Sequence, residues 1–306
     1  MTSKETISEK FYAARKLFLR GGKPWERLRQ FWQYRDEVRQ GAGAENYTIR
    51  QRIVSEAEDN AKIPRAENAG EIVDGALIMH NGLRILADGY CGAGMTELLR
   101  RNKGVHEPQE EVAFAEVLRR LFERHSAGYT MVELGAYWAF YSLWFQTTLP
   151  GARCYCIEPD AEFLESGKRN FRLNQQEADF TQAFVAAKAS EGTGGIVPTI
   201  SVDSFVRDKK IEHIDILHSD IQGDELAMLD GAEKSFSREI VDFVFISTHR
   251  HSLHYRCLEA LKRGGFRILA EVDMVETVSA EGVIVAGRNG LGTLEPISIT
   301  ARKYRK

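Results

Sequence analysis

Val132-Glu133-Leu134-Gly135-Ala136-Tyr137-Trp138-Ala139, answered downstream by Cys156-Ile157-Glu158-Pro159-Asp160, decides the fold. Each stretch is a short apolar run that delivers an acidic residue to a turn, the pattern of a buried strand at its carboxyl end. Gly135 allows the first turn to approach a ligand closely. Glu158 follows that turn by roughly 20 residues, where an acidic side chain accepts hydrogen bonds from both hydroxyls of a ribose. A helix-capping carboxylate is the plainer alternative for it.

The glycine pattern G-x-G-x-x-G is absent from the first turn. A dinucleotide pyrophosphate requires that loop and its helix N-terminus, so a nicotinamide-dependent oxidoreductase is disfavoured. S-adenosylmethionine carries no phosphate and tolerates a looser turn. The expected cofactor contacts are therefore Glu133, Gly135, Ala136, Tyr137, Glu158 and Pro159, with Glu133 facing the positive methionine end.

Around these turns the chain alternates. Strand-like runs span 129–134, 153–158, 179–186, 214–221, 241–249, 266–273 and 282–286, with helix-like segments at 140–148, 161–173, 224–237 and 253–263. Alternation implies a mostly parallel sheet. The link 274–281 is too short for a helix, so the last two strands form an antiparallel hairpin. The expected architecture is α/β: a doubly wound, seven-stranded, Rossmann-like sheet over residues 105–290. Residues 1–104 form an N-terminal helical extension and hairpin, expected to act as a lid, and 291–306 a basic C-terminal tail.

Within the extension, residues 4–40 read as a helix broken near Gly21-Gly22 and Pro24. An amphipathic patch lies over 49–63. Asn81-Gly82, flanked by apolar residues, predicts a tight hairpin turn with positive φ at both positions. Gly89, Gly92 and Gly94 predict a flexible loop around Tyr90 and Cys91. Pro108, Glu110 and Glu111 predict a helix start.

Of the 306 residues, 43 % are hydrophobic and 28 % charged, with a formal net charge of −3. Nothing in that balance calls for a nucleic-acid or membrane partner. The basic stretches at Arg15–Arg29 and Arg302–Lys306 read as solvated surface. Cys154 and Cys156 share a strand face without the second pair that a zinc site needs. They read as buried free thiols in a reducing compartment, and the expected location is the cytoplasm. No apolar run reaches the ~20 residues that span a membrane.

In an open α/β sheet the ligand lies beyond the carboxyl ends of the strands. The fourth strand ends at Asp220 and the fifth at His249, which should meet at one edge of the cleft. His249 is the candidate general base, because an unperturbed histidine titrates near pH ~6.5. Asp220 would orient the acceptor or the ring. His80, Tyr90 and His106 are expected mainly in loop packing over the cleft; His218, His251 and His254 are expected to be structural or exposed. Asp220, Asp224, Glu225, His249 and His251 offer ligands for a cation, but Asp224 and Glu225 suit a helix start, so no metal is expected.

Residues 108–270 resemble the FkbM-type methyltransferase family. Its V-D-x-G-A-N-x-G-x-x-S is similar to Val132 through Ser142, and its E-P-x to Glu158-Pro159-Asp160. Its T-L-D-x-F resembles Ile200 through Phe205, its long I-D-x-x-K-x-D-x-E-G-x-E run Ile214 through Ala232, and its I-E-x-H Ile246 through His249. The resemblance implies methyl transfer from S-adenosylmethionine to a hydroxyl of a sugar or secondary metabolite: a small-molecule or glycan acceptor, with a homo-oligomer compatible. Asp203 in the T-L-D-x-F segment would contact the adenine side or brace a loop. Several positions depart from the pattern. Tyr137 and Ala139 replace Asn and Gly; Ser219, Gln222 and Ser247 replace Lys, Glu and Glu. Those lost carboxylates motivate a rival reading, a catalytically silent relative serving as a binding or scaffold subunit.

Overall fold

The computed structural model describes residues 47–124, 128–192, 197–292 and 294–302. The helix expected over 4–40 and the tail beyond Arg302 lie outside them. Two short helices, α1 (Tyr47–Glu56) and α2 (Glu58–Lys62), precede a small antiparallel sheet of β1 (Ile72–Val73), β2 (Ala76–Ile78) and β3 (Arg84–Leu86). Helices α3 (Gly92–Arg101) and α4 (Pro108–Arg124) lead into the main sheet. Its first half is β4 (Thr130–Leu134), α5 (Phe140–Thr148), β5 (Arg153–Ile157), α6 (Ala161–Leu173) and β6 (Asp179–Thr181). A two-stranded parallel pair, β7 (Phe184–Val185) and β8 (Thr199–Ile200), leads to α7 (Val202–Lys209). The second half is β9 (Ile214–Ser219), α8 (Glu225–Asp230), α9 (Glu233–Ser237), β10 (Val241–Thr248), α10 (His251–Arg263), β11 (Phe266–Val272) and β12 (Gly282–Arg288).

The seven-stranded sheet runs β11-β12-β10-β9-β4-β5-β6. The β6–β5–β4–β9–β10 ladder is parallel. β12 pairs antiparallel with β11, as the short 274–281 link demanded, and inserts between it and β10. Chain order reverses between β4 and β9, and such a switch point opens a crevice at the strand ends. Period-two alternation splits the core. Met131, Phe243 and Phe245 face α4 and α5, while Val132, Leu134, Val244 and Ile246 face α7 to α10.

Several expectations change in detail. Gly82 takes φ +86° but Asn81 does not join it; its Oδ1 instead accepts the Leu83 N–H at 3.2 Å. The hairpin thus closes over three residues, ending in a left-handed glycine. Gly92 and Gly94 start a helix rather than a flexible loop, because Met95, Leu98 and Leu99 bury on one face. The 224–237 helix breaks in two where Gly231 presses on the Ala186 carbonyl; a Cβ there would lie 2.6 Å from that oxygen. Leu77, Met79 and Ile85 of the extension share one core with Phe140 and Trp144, and Leu294 and Ile297 join it from the C-terminal segment. Cys154 and Cys156 are buried free thiols, as expected. No helix among the described residues is long and apolar enough to cross a membrane.

Candidate active site

At the switch point the end of β4 touches the end of β9. Gly135 has φ +75°, and a Cβ on it would fall 1.9 Å from the Asp220 carbonyl oxygen, so only glycine fits. Asp220 N–H donates to the Leu134 carbonyl (2.9 Å), and Gly135 and Ala136 donate to Ile157 at the end of β5. Tyr137 (φ +43°) and Ala139 (φ +55°) are left-handed as well. These are the positions where the resembling family has Asn and Gly, residues that visit this region at lower cost. The chain keeps the backbone path while giving up the residues that favour it.

Aromatic contacts hold that path. The Tyr137 ring stacks on Phe163 at 3.8 Å, and its hydroxyl accepts the Cys91 N–H at 3.1 Å. Tyr90 stacks on Trp138 at 4.1 Å. The segment before α3 therefore lies against the β4 turn.

Glu158 is buried at the end of β5. Its Oε2 accepts the Tyr137 N–H (3.1 Å) and its Oε1 the Asp160 N–H (3.0 Å). Burial raises its pKa, with the two backbone donors opposing. The carboxylate thus ties the β4 and β5 turns together, while each oxygen keeps a further lone pair. Pro159 follows it in the same turn. Glu133 lies just before the β4 turn, its Oε2 accepting the Ser142 N–H of α5; burial pushes it up to about 7. Asp203 does not join this group. Its Oδ1 accepts from Ser235 N and Oγ (2.8 and 2.6 Å), and its Oδ2 from Lys234 N (3.0 Å). It caps α9, whose own N-cap is Ala232 and supplies no side-chain acceptor. Of the two roles foreseen for Asp203, bracing is the one its contacts fill.

Asp220 and His249 do meet. Asp220 Oδ1 forms an ion pair with His249 Nε2 at 3.3 Å; both atoms are buried, and among the described residues neither makes a well-aligned hydrogen bond. His249 Nδ1 lies 2.6 Å from Glu225 Oε1, on a residue with no exposed surface. Burial opposes charge on the ring. The Asp220 and Glu225 carboxylates against its two ring nitrogens, together with the charge of Glu281, outweigh it and raise the histidine to about 10. Glu281 Oε1 approaches the same Nε2 at 4.0 Å.

A second layer supports this centre. Arg50 of α1 reaches Glu107 Oε1 at 3.5 Å. Glu107 Oε2 also faces His106 Nε2 at 3.1 Å and the Tyr141 hydroxyl at 3.3 Å. Burial would raise Glu107, but the charges of His106 and Arg50 hold it near 2. Burial likewise opposes charge on His106, yet Glu107 and Glu111 raise it to about 10. Beneath them Glu110 Oε1 lies 2.8 Å from His218 Nε2, and its Oε2 accepts the Ser247 hydroxyl at 3.2 Å. A carboxylate from α4 thus stands against Ser247, where the family motif has a Glu of its own. His254 is buried between Thr248 and Glu271, a structural role as foreseen.

Glu107, Glu110, Glu111, Arg50 and Glu281 were missed as site residues. One signal was available: an apolar helix whose first turn carries two carboxylates, directly behind His106-Glu107. A helix dipole needs only partial compensation there, and Pro108 through Glu111 are all buried. Arg50 lies in a stretch with no motif.

At the opposite end of the sheet, His213, Asp215 and Asp242 have spacing that could suit a cation. Arg124 and Arg288 already take both Asp242 oxygens at 3.1 Å, and Thr130 N–H takes Asp215 Oδ2. This group is an ion-pair network.

Residues 181–268 match the methyltransferase FkbM domain. No curated protein matches the sequence. Among solved structures, a precorrin-6y C5,15-methyltransferase from Geobacter metallireducens GS-15 is 14 % identical with a TM-score of 0.40, covering 57 % of this chain and 87 % of its own. TrmK of M. capricolum, in complex with S-adenosylhomocysteine, is 14 % identical at TM-score 0.39, covering 58 % and 68 %. Aeropyrum pernix fibrillarin, with natively bound S-adenosylmethionine, is 14 % identical at TM-score 0.37, covering 53 % and 67 %. The domain match falls on the strands that deliver Asp220 and His249, so this half of the seven-stranded, mostly parallel sheet is similar to the methyltransferase FkbM domain.

Proposed function

We propose that the protein is an S-adenosylmethionine-dependent methyltransferase acting on a hydroxyl of a sugar or secondary metabolite. The observation that carries this reading is the buried ion pair of Asp220 Oδ1 and His249 Nε2 at the switch point of the sheet, in which neither atom makes a well-aligned hydrogen bond among the described residues. Buried polar atoms whose hydrogen bonds are incomplete are stabilised by a ligand that completes them.

The residues present fit the cofactor. Glu158 offers its remaining lone pairs to ribose hydroxyls, Gly135 and Ala136 bring backbone close, and Glu133 lies behind the turn for the methionine end. When bound, the cofactor supplies an electrophilic methyl group. The chain then supplies orientation and exclusion of water, for which the stacked Tyr90–Trp138 pair beside the turn is suited. Glu225 fixes the His249 ring through Nδ1, leaving Nε2 toward Asp220. A ring held protonated to about 10 does not accept a further proton at neutral pH. His249 therefore acts as a hydrogen-bond donor that positions the acceptor oxygen, in place of the base role assigned to it from the sequence. Asp220 accepts from the acceptor and balances the ring's charge.

The experiment is incubation with methyl-labelled S-adenosylmethionine and fractionated small-molecule and glycan extracts. Label moving to an acceptor, with matching S-adenosylhomocysteine, supports the reading. Cofactor binding without transfer to any fraction favours the silent scaffold subunit instead.

A further inference from the structure

The reaction proposed above releases a proton, and carboxylates against both ring nitrogens of His249 favour its protonated form. Asp220 is paired with His249. Glu225 is occupied by His249 Nδ1 and the Gly223 N–H. Glu107 is shared by His106, Tyr141 and Arg50. One carboxylate at this centre has neither a side-chain hydrogen bond nor an ion pair closer than 4.0 Å among the described residues: Glu281.

Sheet register explains its position. Gly282 pairs with Thr248 in the antiparallel β12–β10 ladder, so the residue before Gly282 lies beside the residue after Thr248, which is His249. Close approach depends on Gly282: a Cβ there would meet Thr248 Oγ1 at 2.8 Å and His254 Nδ1 at 2.9 Å. The short link between β11 and β12 thus aims a carboxylate across the end of β10, with Oε1 4.0 Å from His249 Nε2 and only 18 % of the side chain exposed.

We infer that Glu281 is the general base of the reaction centre, taking the acceptor's proton beside the Asp220–His249 pair. This rests on the methyltransferase reading. The acceptor O–H bond breaks as its oxygen bonds to the methyl carbon. The proton passes to a Glu281 carboxylate oxygen, and the electron pair of the sulfur–carbon bond stays on sulfur, leaving a neutral thioether. The charged and titratable groups facing Glu281 are Arg50 of α1, Tyr90, Glu107 before α4, Asp220 after β9 and His249 after β10. Burial and Glu107 raise it and Arg50 opposes, leaving a carboxyl near 7, matched to proton transfer at neutral pH.

The test uses proton linkage, with S-adenosylmethionine and S-adenosylhomocysteine as probes. They differ by one methyl group and one positive charge, so the difference between them isolates the sulfonium. A cation beside Glu281 favours its ionised form. In calorimetry at pH 7, run in two buffers of different ionisation enthalpy, S-adenosylmethionine should release about half a proton more than S-adenosylhomocysteine. Glu281→Gln should abolish that difference while retaining S-adenosylhomocysteine binding, which also reports that the variant is folded. An unchanged difference in Glu281→Gln, or none in the wild type, overturns the inference. Failure of both ligands to bind overturns the methyltransferase reading, and this one with it.

Discussion

Asp220 Oδ1 and His249 Nε2 face each other at 3.3 Å across the ends of two adjacent parallel strands. His249 is fixed from behind by Glu225, so the pair presents one donor and one acceptor to whatever enters the crevice. His249→Ala should lower turnover by about 100-fold, the usual scale for removing a donor at a reacting oxygen. Affinity for S-adenosylhomocysteine should change little, because the ring lies on the acceptor side. Turnover left intact with a true acceptor would return His249 to a structural role.

Glu281 gives a pH signature in stability. Its folded value near 7 lies above the ordinary 4.5. Between those values the folded chain holds a proton that the unfolded chain has released. Stability from this group is therefore present below about pH 4.5, declines as pH rises through 7, and is lost above it. Glu281→Gln should raise the melting temperature at pH 8 and leave it nearly unchanged at pH 4. Thermal unfolding at both values decides, and a lower melting temperature at pH 8 contradicts the account.

The left-handed residues of the β4 turn predict an unusual gain. Ala139 at φ +55° carries a steric cost of about 1–2 kcal/mol that glycine avoids. Part of that is offset by the entropy of an unfolded glycine. Ala139→Gly should therefore stabilise the protein by up to about 1 kcal/mol. Denaturant unfolding reads this directly; a destabilised variant would mean the methyl group's packing matters more than the strain.

Asp203 separates bracing from binding. Removing a cap of this kind costs about 1–2 kcal/mol. Asp203→Ala should destabilise the fold by that amount, measured by chemical denaturation, with S-adenosylhomocysteine affinity unchanged. A tenfold loss of affinity in a variant of full stability would restore its adenine-side role.

The sheet was legible because each element announces itself locally. The β4 run ends in Glu133 and Gly135, the β5 run in Glu158, and the eight residues 274–281 leave no room for a crossover helix. The meeting of Asp220 and His249 followed from strand adjacency alone. Finer features depend on contacts that sequence spacing does not carry. The break at Gly231 comes from the Ala186 carbonyl, more than forty residues away in the chain. Arg50, Glu107 and Glu281 converge from three separate segments, and His249's charge state is set by carboxylates on two others. Reading His249 as a base assumed an isolated imidazole, which this centre does not contain.

The central claim is that the β4 and β5 turns hold S-adenosylmethionine, with Glu158 on the ribose. Calorimetric titration of S-adenosylhomocysteine into the wild type and Glu158→Ala tests it most directly. The account predicts saturable binding weakened by roughly ten- to a hundred-fold in the variant, the scale of one or two charge-assisted hydrogen bonds. Absence of binding to the wild type, or equal affinity in the variant, would contradict it.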